Sequence, residues 1–433
     1  MRFGVNAPSR GCGTLTIVAL LAWGASAQQP PLTLSAIKFS GLERYSEQQS
    51  EFASHLKVGS PVTIAQIQSA SDRLAQSGAF DKISYSYTTH GNEISIEFQV
   101  AETKNRLSAT FDNFVWFTTD ELDRTLRARV PFYDGTVPER GTTSQEVSDA
   151  LHALLQSNGI AGTVSGLPSG PFGRYVSLDF RVSGVAMPVH SIQIPGAAGV
   201  SESELVGAAK ELIGKDYSAA DTQAVASLTL LAIYRRHGYL QAHFDHPQAN
   251  VIGNTRTGAA FDIAVTVPVN EGLQYSWDHA AWTGNQKFSA DELNAFLAMK
   301  AHEVASQDKI DAGLNAVAIA YSKQGFIDTA IAPKVLLDDS TRLVTYDSAI
   351  NEGIQYKMGQ LQITGLDDRL AADLIKKWQI KPGQLFDGTY SREFLKKTAF
   401  PRILESGKRP GGIDENLQRN KDNATVDLVL AFR

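Results

Sequence analysis

The sequence predicts an α+β protein of tandem small β-α-α-β-β modules, each a three-stranded mixed sheet covered on one face by two helices. Three observations carry that expectation. The first is a recurring junction in which an apolar helical run meets a glycine and an apolar residue then opens an extended segment. It reads I-Y-R-R-H-G-Y-L-Q-A-H-F at 233–244, L-A-Q-S-G-A-F-D-K-I-S-Y at 74–85, L-L-Q-S-N-G-I-A-G-T-V at 154–164 and A-Y-S-K-Q-G-F-I-D-T-A-I at 320–331. Glycine suits the end of such a helix because it takes the left-handed conformation without steric strain. Four copies at intervals of roughly 80 residues are an internal repeat. The second observation is strict alternation of apolar and polar residues at 83–87, 94–100 and 261–267, the pattern of half-buried strands. The third is a pair of matched heptapeptides, V-N-E-G-L-Q-Y at 269–275 and I-N-E-G-I-Q-Y at 350–356.

Taken in order, the first 27 residues form an expected signal peptide. Arg2 and Arg10 precede an apolar run from Leu15 to Trp23, and Ala25-Ser26-Ala27 offers a small-x-small cleavage site. The apolar run is too short to span a bilayer comfortably. Cys12 is the only cysteine and falls inside this segment, so a mature chain would contain no thiol for disulfides, metal ligation or catalysis.

The first module, 33–102, opens with a strand through Leu34, Ile37 and Phe39 that ends at Gly41. A helix follows over 45–56 with Ser46 as its cap, then a turn at 57–64 with Thr63 capping a second helix. Two antiparallel strands then flank His90-Gly91-Asn92. The third module, 188–272, repeats the plan: strand 192–194, Gly196, then Ser201 and Glu204 at capping-box spacing, helix two to Gly238, and the closing strand 261–267. The fourth, 274–353, has Trp282-Thr283-Gly284 and a helix opened at Ser289. The second module, 104–184, lacks the glycine after its first strand and inserts 138–141. In the fifth, 355–433, helix two runs into Pro401, and 406–412 reads as a loop instead of a clean cap. Links at 102–104, 184–187, 271–274 and 352–355 are expected to be exposed, with few contacts crossing them.

Composition bounds the function. With 433 residues, 43% hydrophobic and 20% charged, the chain has material for several small cores. A net charge of −6 argues against a nucleic-acid partner, whose binder would be basic. His237, His243, Asp245 and His246 invite a metal reading, but along an extended segment 243 and 245 share one face while 246 takes the other. No metal and no cofactor is therefore expected. Gly196 to Gly199 and Gly411-Gly412 lack phosphate-loop spacing, and neither G-x-S-x-G nor H-E-x-x-H occurs. Residues 354–433 hold 14 Lys+Arg against 10 Asp+Glu, including Lys376, Lys377, Lys381, Arg392, Lys396 and Lys397. Solvated helix faces explain such a run; contact with anionic headgroups or an acidic partner is the sharper reading.

The combination of strand-Gly, S-x-x-E-L helix, G-x-x-Y/F turn and helix running into G-Y/F-x-x-A resembles the POTRA domain, the polypeptide-transport-associated module of the Omp85 superfamily. The resemblance covers nearly all of the chain after residue 27, the periplasmic arm without the barrel that follows it in that family. It implies a non-catalytic periplasmic scaffold associated with the outer membrane. Its clients would be unfolded outer-membrane proteins or a barrel assembly subunit, bound by strand addition to an exposed sheet edge at 83–87 or 261–267. Two alternatives stand beside it: a periplasmic adaptor docking one partner, and an enzyme on an unrecognised α+β fold.

Overall fold

The computed structural model describes residues 32–171, 173–254, 260–407, 409 and 411–433. The expected signal peptide, 1–27, lies outside the described residues. Two compact units are present. One holds the described residues up to Thr110 with Asp120–Leu151 and Gly166–Asp179; the other holds Phe111–Thr119, His152–Ser165 and Phe180–Arg433.

In the first sheet Leu32–Ser40 runs parallel to Glu93–Glu102, with Phe80–His90 antiparallel on the outer side. A parallel pair needs a crossover, and the helices Glu47–Ser54 and Ile64–Gln76 supply it. Ser46 and Thr63 cap those helices, each in a capping box with a glutamine three residues on. The same parallel first-to-last pairing recurs between Val189–Gln193 and Phe261–Thr266, between Ser276–Thr283 and Leu343–Asn351, and between Lys357–Thr364 and Thr425–Phe432. A further sheet has the order Thr136–Pro138, Arg106–Phe111, Ser177–Ser183, Thr163–Ser169. These sheets are mixed, as expected, but the first two carry a short fourth strand, Pro61–Val62 and Thr136–Pro138. Elsewhere that strand shrinks to isolated bridges such as Ser276 with Val304 and Lys357 with Leu385.

The glycine after the first strand has a steric cause. Gly41, Gly196, Gly284 and Gly365 all have φ between +80° and +94°, and a Cβ on any of them would press into a backbone carbonyl, that of Val100, Ile350 or Phe432 in the last strand or, for Gly196, that of Val269 just beyond it. Where the second set of elements lacks the glycine, Asn113 takes over. Its side chain accepts from Val182 N–H at 2.7 Å and donates to Val182 O at 3.0 Å.

Two expectations are corrected. Phe261–Thr266 is the central strand of its sheet, between Gln248–Asn254 and Val189–Gln193, because its parallel and antiparallel partners occupy both edges. The helix that meets Pro401 does end in a cap: Gly407 takes φ +81° and donates to Leu404 O. The proline is tolerated because Phe400 N–H reaches back to Leu395 O, a π turn that widens the helix just ahead of the ring. The third repeat has a π turn too, at Val225–Leu230.

Candidate binding edge and the junctions beside it

Among the described residues, the mixed sheets end on the side away from the first strand in Phe80–His90, Thr163–Ser169, Gln248–Asn254, Ala330–Asp338 and Ile413–Asn420. Pro168 and Pro333 remove a donor from two of them, and a register shift between Val251 and Gly253 interrupts a third. Ile413–Asn420 is regular but presents mostly charged and amide side chains. Phe80–His90 is the longest, at 11 residues, has no proline, and is regular from Lys82 to His90, its one register shift lying between Phe80 and Lys82.

Its hairpin fixes which backbone groups are free. Gly91 at φ +61° and Asn92 form the two-residue loop, so His90 and Glu93 are the hydrogen-bonded pair that closes it. Alternation then turns the N–H and C=O of Ile83, Tyr85, Tyr87 and Thr89 outward. These residues stand opposite Val100, Phe98, Ile96 and Ile94, so their side chains share the face the helices cover. The Tyr85 ring lies 5.9 Å from Phe98, and its hydroxyl donates to Gln68 Oε1 at 3.0 Å on helix Ile64–Gln76. Tyr87 is 45% exposed. The edge thus offers main-chain partners beside an apolar ledge, the arrangement that strand addition requires.

The matched heptapeptides prove to be junctions. Asn270 and Asn351 accept from the N–H of Gly272 and Gly353 two residues on. Glu271 accepts from Ala198 and Gly199 N–H, and Glu352 from Gln286 and Lys287 N–H, in the loop that leads into the first helix of each repeat. Glu102 does the same for Glu43, Arg44 and Tyr45. Gln274 and Gln355 donate to the carbonyls of His237 and Gln324 at 2.8 Å. Tyr275 and Tyr356 donate their N–H to the helix-ending Gly238 and Gly325 at 2.9 and 2.8 Å. The links expected to be exposed and little contacted at 271–274 and 352–355 are therefore bonded on both sides. Tyr321 donates to Glu352 Oε1 at 2.9 Å, and its burial, then that carboxylate, push the hydroxyl upward.

The remaining sequence candidates separate. His237 Nε2 lies 3.3 Å from Glu204 Oε1, so Glu204 turns to the histidine and not back to Ser201. His243 sits in the two-residue strand His243–Phe244, and Asp245 donates its N–H to Pro268 O. Among the described residues no group of three His, Cys, Asp or Glu side chains is placed to hold a metal ion. The 196–199 loop, with its two N–H groups, is closed by the carboxylate of Glu271. In the basic run Lys397 pairs with Glu393 at 2.6 Å and Lys381 donates to Trp378 O, while Lys376 and Lys377 end helix Asp368–Lys377 exposed.

One ionic cluster escaped the sequence reading. Arg106, with 6% of its side chain exposed, donates to the Tyr45 hydroxyl, to Phe132 O and to Asp134 Oδ1, and lies 5.4 Å from the Tyr45 ring centroid. Arg44 holds the other Asp134 oxygen at 2.9 Å. Nothing in the spacing of these five residues distinguishes them from surface charges.

Residues 276–353 match the model of the POTRA family, described as a surface antigen variable number repeat. A protein of Treponema pallidum (strain Nichols), named for outer membrane protein assembly, is 24% identical over 198 residues, 46% of this chain and 23% of its own length. The chain thus spans under a quarter of that relative. Among solved structures, POTRA3-5 of BamA from Haemophilus influenzae is 20% identical at a TM-score of 0.43, covering 57% of this chain and 96% of that one. The N-terminal domain of Omp85 from Thermosynechococcus elongatus is 12% identical at a TM-score of 0.20, covering 75% and 98%.

Proposed function

We propose that this chain is a non-catalytic periplasmic scaffold in outer-membrane protein assembly, binding extended segments of unfolded outer-membrane proteins, or a barrel assembly subunit, by strand addition. The observation that carries the proposal is the proline-free edge Phe80–His90, with the backbone of Ile83, Tyr85 and Tyr87 turned outward beside an aromatic ledge. The POTRA match at 276–353 and the relative named for outer-membrane protein assembly support the setting. The acting units we propose are the five spans 33–102, 104–184, 188–272, 274–353 and 355–433. Main-chain pairing reads little side-chain sequence, which suits a binder of many clients. We further assign Lys376 and Lys377 to contact with anionic headgroups.

The test is Tyr87→Pro. It removes an outward N–H while leaving the bonds to Glu93–Glu102 in place, so the fold, read by circular dichroism, should survive. Affinity for a panel of porin-derived strand peptides should fall by about tenfold or more, whatever their side chains. Undiminished binding by the folded variant sinks strand addition at this edge and favours an adaptor that docks one partner.

A further inference from the structure

We propose that the first unit carries a binding trough for a phosphate-bearing amphiphile, beside the ends of helices Glu47–Ser54 and Ile64–Gln76. Two cavities share a wall there. One, of about 390 Å³, is lined by His55, Lys57, Ser60, Ser69 and Arg73 among others, and no carboxylate side chain lines it among the described residues. The other, of about 290 Å³, is lined by Phe52, Arg129, Val130 and Pro131 and again by His55 and Arg73. Its single acid, Glu146, already accepts from Thr142 Oγ1 at 2.9 Å.

The shared wall is what points to an anion. Arg73 spends Nη2 on the carbonyl of Ser54, but its Nε is buried and meets no protein acceptor among the described residues. The guanidinium keeps its full positive charge in the wall that both cavities share, and an oxyanion is the strongest acceptor a cation meets. His55 stands beside it because the helix ends there in a left-handed residue, φ +58°, whose N–H returns to Phe52 O. Lys57 follows two residues later and lines the same cavity. Cationic side chains with the Ser60 hydroxyl match a phosphate, which carries up to two charges and several acceptor oxygens.

The second cavity supplies the other half of the ligand. Phe52 is 65% exposed, and Val130 and Pro131 continue its apolar wall. A phosphate seated on Lys57 and Arg73 would therefore lay an attached apolar chain past His55 toward Phe52. None of these residues belongs to the edge strand Phe80–His90, so this site and strand addition stand or fall separately.

The full chain would be titrated calorimetrically with dihexanoyl phosphatidic acid below its micelle concentration. Dihexanoyl phosphatidylcholine, with the same chains on a zwitterionic head, and glycerol 3-phosphate, with the head and no chains, are the comparison arms. Phosphatidic acid should bind about tenfold tighter than either. Arg73→Gln and Lys57→Gln should each weaken it by about tenfold, and Phe52→Ser should weaken it without touching glycerol 3-phosphate. Lys57 and Phe52 are exposed, so those variants report even if Arg73→Gln fails to fold. Equal binding of the two lipids, equal binding of glycerol 3-phosphate and phosphatidic acid, no binding of phosphatidic acid, or unchanged binding by Lys57→Gln and Phe52→Ser would each overturn the proposal.

Discussion

Neighbouring repeats are tied together differently in the two compact units. In the first, backbone bonds from Thr142 and Thr143 N–H to the carbonyls of Gln76 and Ser77 are joined by a side-chain cluster that occurs once: Arg106 and Arg44 converge on Asp134, with Tyr45 and Phe132 packed at 4.9 Å as the apolar backing. In the second, a backbone tie of fixed spacing occurs twice, with Tyr275 N–H on Gly238 O and Tyr356 N–H on Gly325 O, each flanked by a glutamine side chain on a neighbouring carbonyl, and the ion pairs Arg236–Asp308 and Arg419–Asp328 add side-chain contacts to it. A backbone bond constrains conformation, and so it selects glycine and a fixed spacing that survive as a readable repeat. A side-chain cluster constrains only complementarity, which many residue combinations satisfy.

The largest effect should come from the glycine lock inside a repeat. Gly284 has φ +81°, and a Cβ there would press into the carbonyl of Ile350 on the last strand. Gly284→Ala therefore adds backbone strain to a clash that no side chain can relieve, and should cost about 3 to 5 kcal/mol, enough to lose that repeat's cooperative thermal transition. A shift under about 1 kcal/mol would mean that the strand moves away freely.

Next in size is the ionic tie. Arg106→Leu leaves Asp134 half-buried with one of its cations gone, and should cost the first unit about 2 to 4 kcal/mol in denaturant titration. The same tie fixes a pH response. Burial opposes ionisation of Asp134, but hydrogen bonds from Thr136 and Arg44 and the charge of Arg106 outweigh it and bring the carboxyl down to about 2. A depressed carboxyl pKa stabilises fully above the unfolded value of about 3.9, and the contribution is lost as pH falls through about 2. Unfolding followed from pH 7 to 2 should show the first unit weakening only below about 4, and Arg106→Leu should flatten that acid limb.

Legibility follows the same division. The helix-ending glycines and the caps at Ser46, Thr63 and Ser289 rest on local geometry, which is why spacing disclosed them, whereas the heptapeptides were legible only as a repeat, because their Glu and Gln bond to residues far along the chain. The place of 261–267 in its sheet was not legible. Alternation is the same for any strand with one buried face, and only the non-local pairing with Val189–Gln193 and Gln248–Asn254 makes it central. The edge at 83–87 was legible as a strand, but its freedom on one side was not. The Arg73 trough was invisible, because the residues around it are charged and small ones with no shared period.

A smaller effect is expected at the helix end that also ties two repeats. Gly325→Ala forces a side chain onto φ +84° and places its Cβ 2.6 Å from Tyr356 O, so it should cost about 2 kcal/mol. It should also open the link at 352–355 to limited proteolysis, which the intact bonds from Tyr356 N–H and Gln355 Nε2 would otherwise resist. Faster cleavage elsewhere with this link unchanged would mean that the glycine serves only its own helix.

The smallest effect is at Gly159, and it isolates what the left-handed conformation alone is worth. This glycine ends helix Thr143–Ser157 as Gly325 ends Gln307–Lys323, with φ +73° and its N–H on Gln156 O, but nothing lies within 4 Å of where its Cβ would be. Gly159→Ala should therefore cost only the conformational term, about 1 kcal/mol. Asparagine tolerates that conformation far better than alanine, so Gly159→Asn should recover most of the loss. At Gly325 the same exchange should recover nothing, because the carbonyl of Tyr356 meets any Cβ whatever follows it. Thermal unfolding of the four variants decides it: rescue by asparagine at both glycines, or at neither, would remove the distinction between a glycine that ends a helix and one that also joins two repeats.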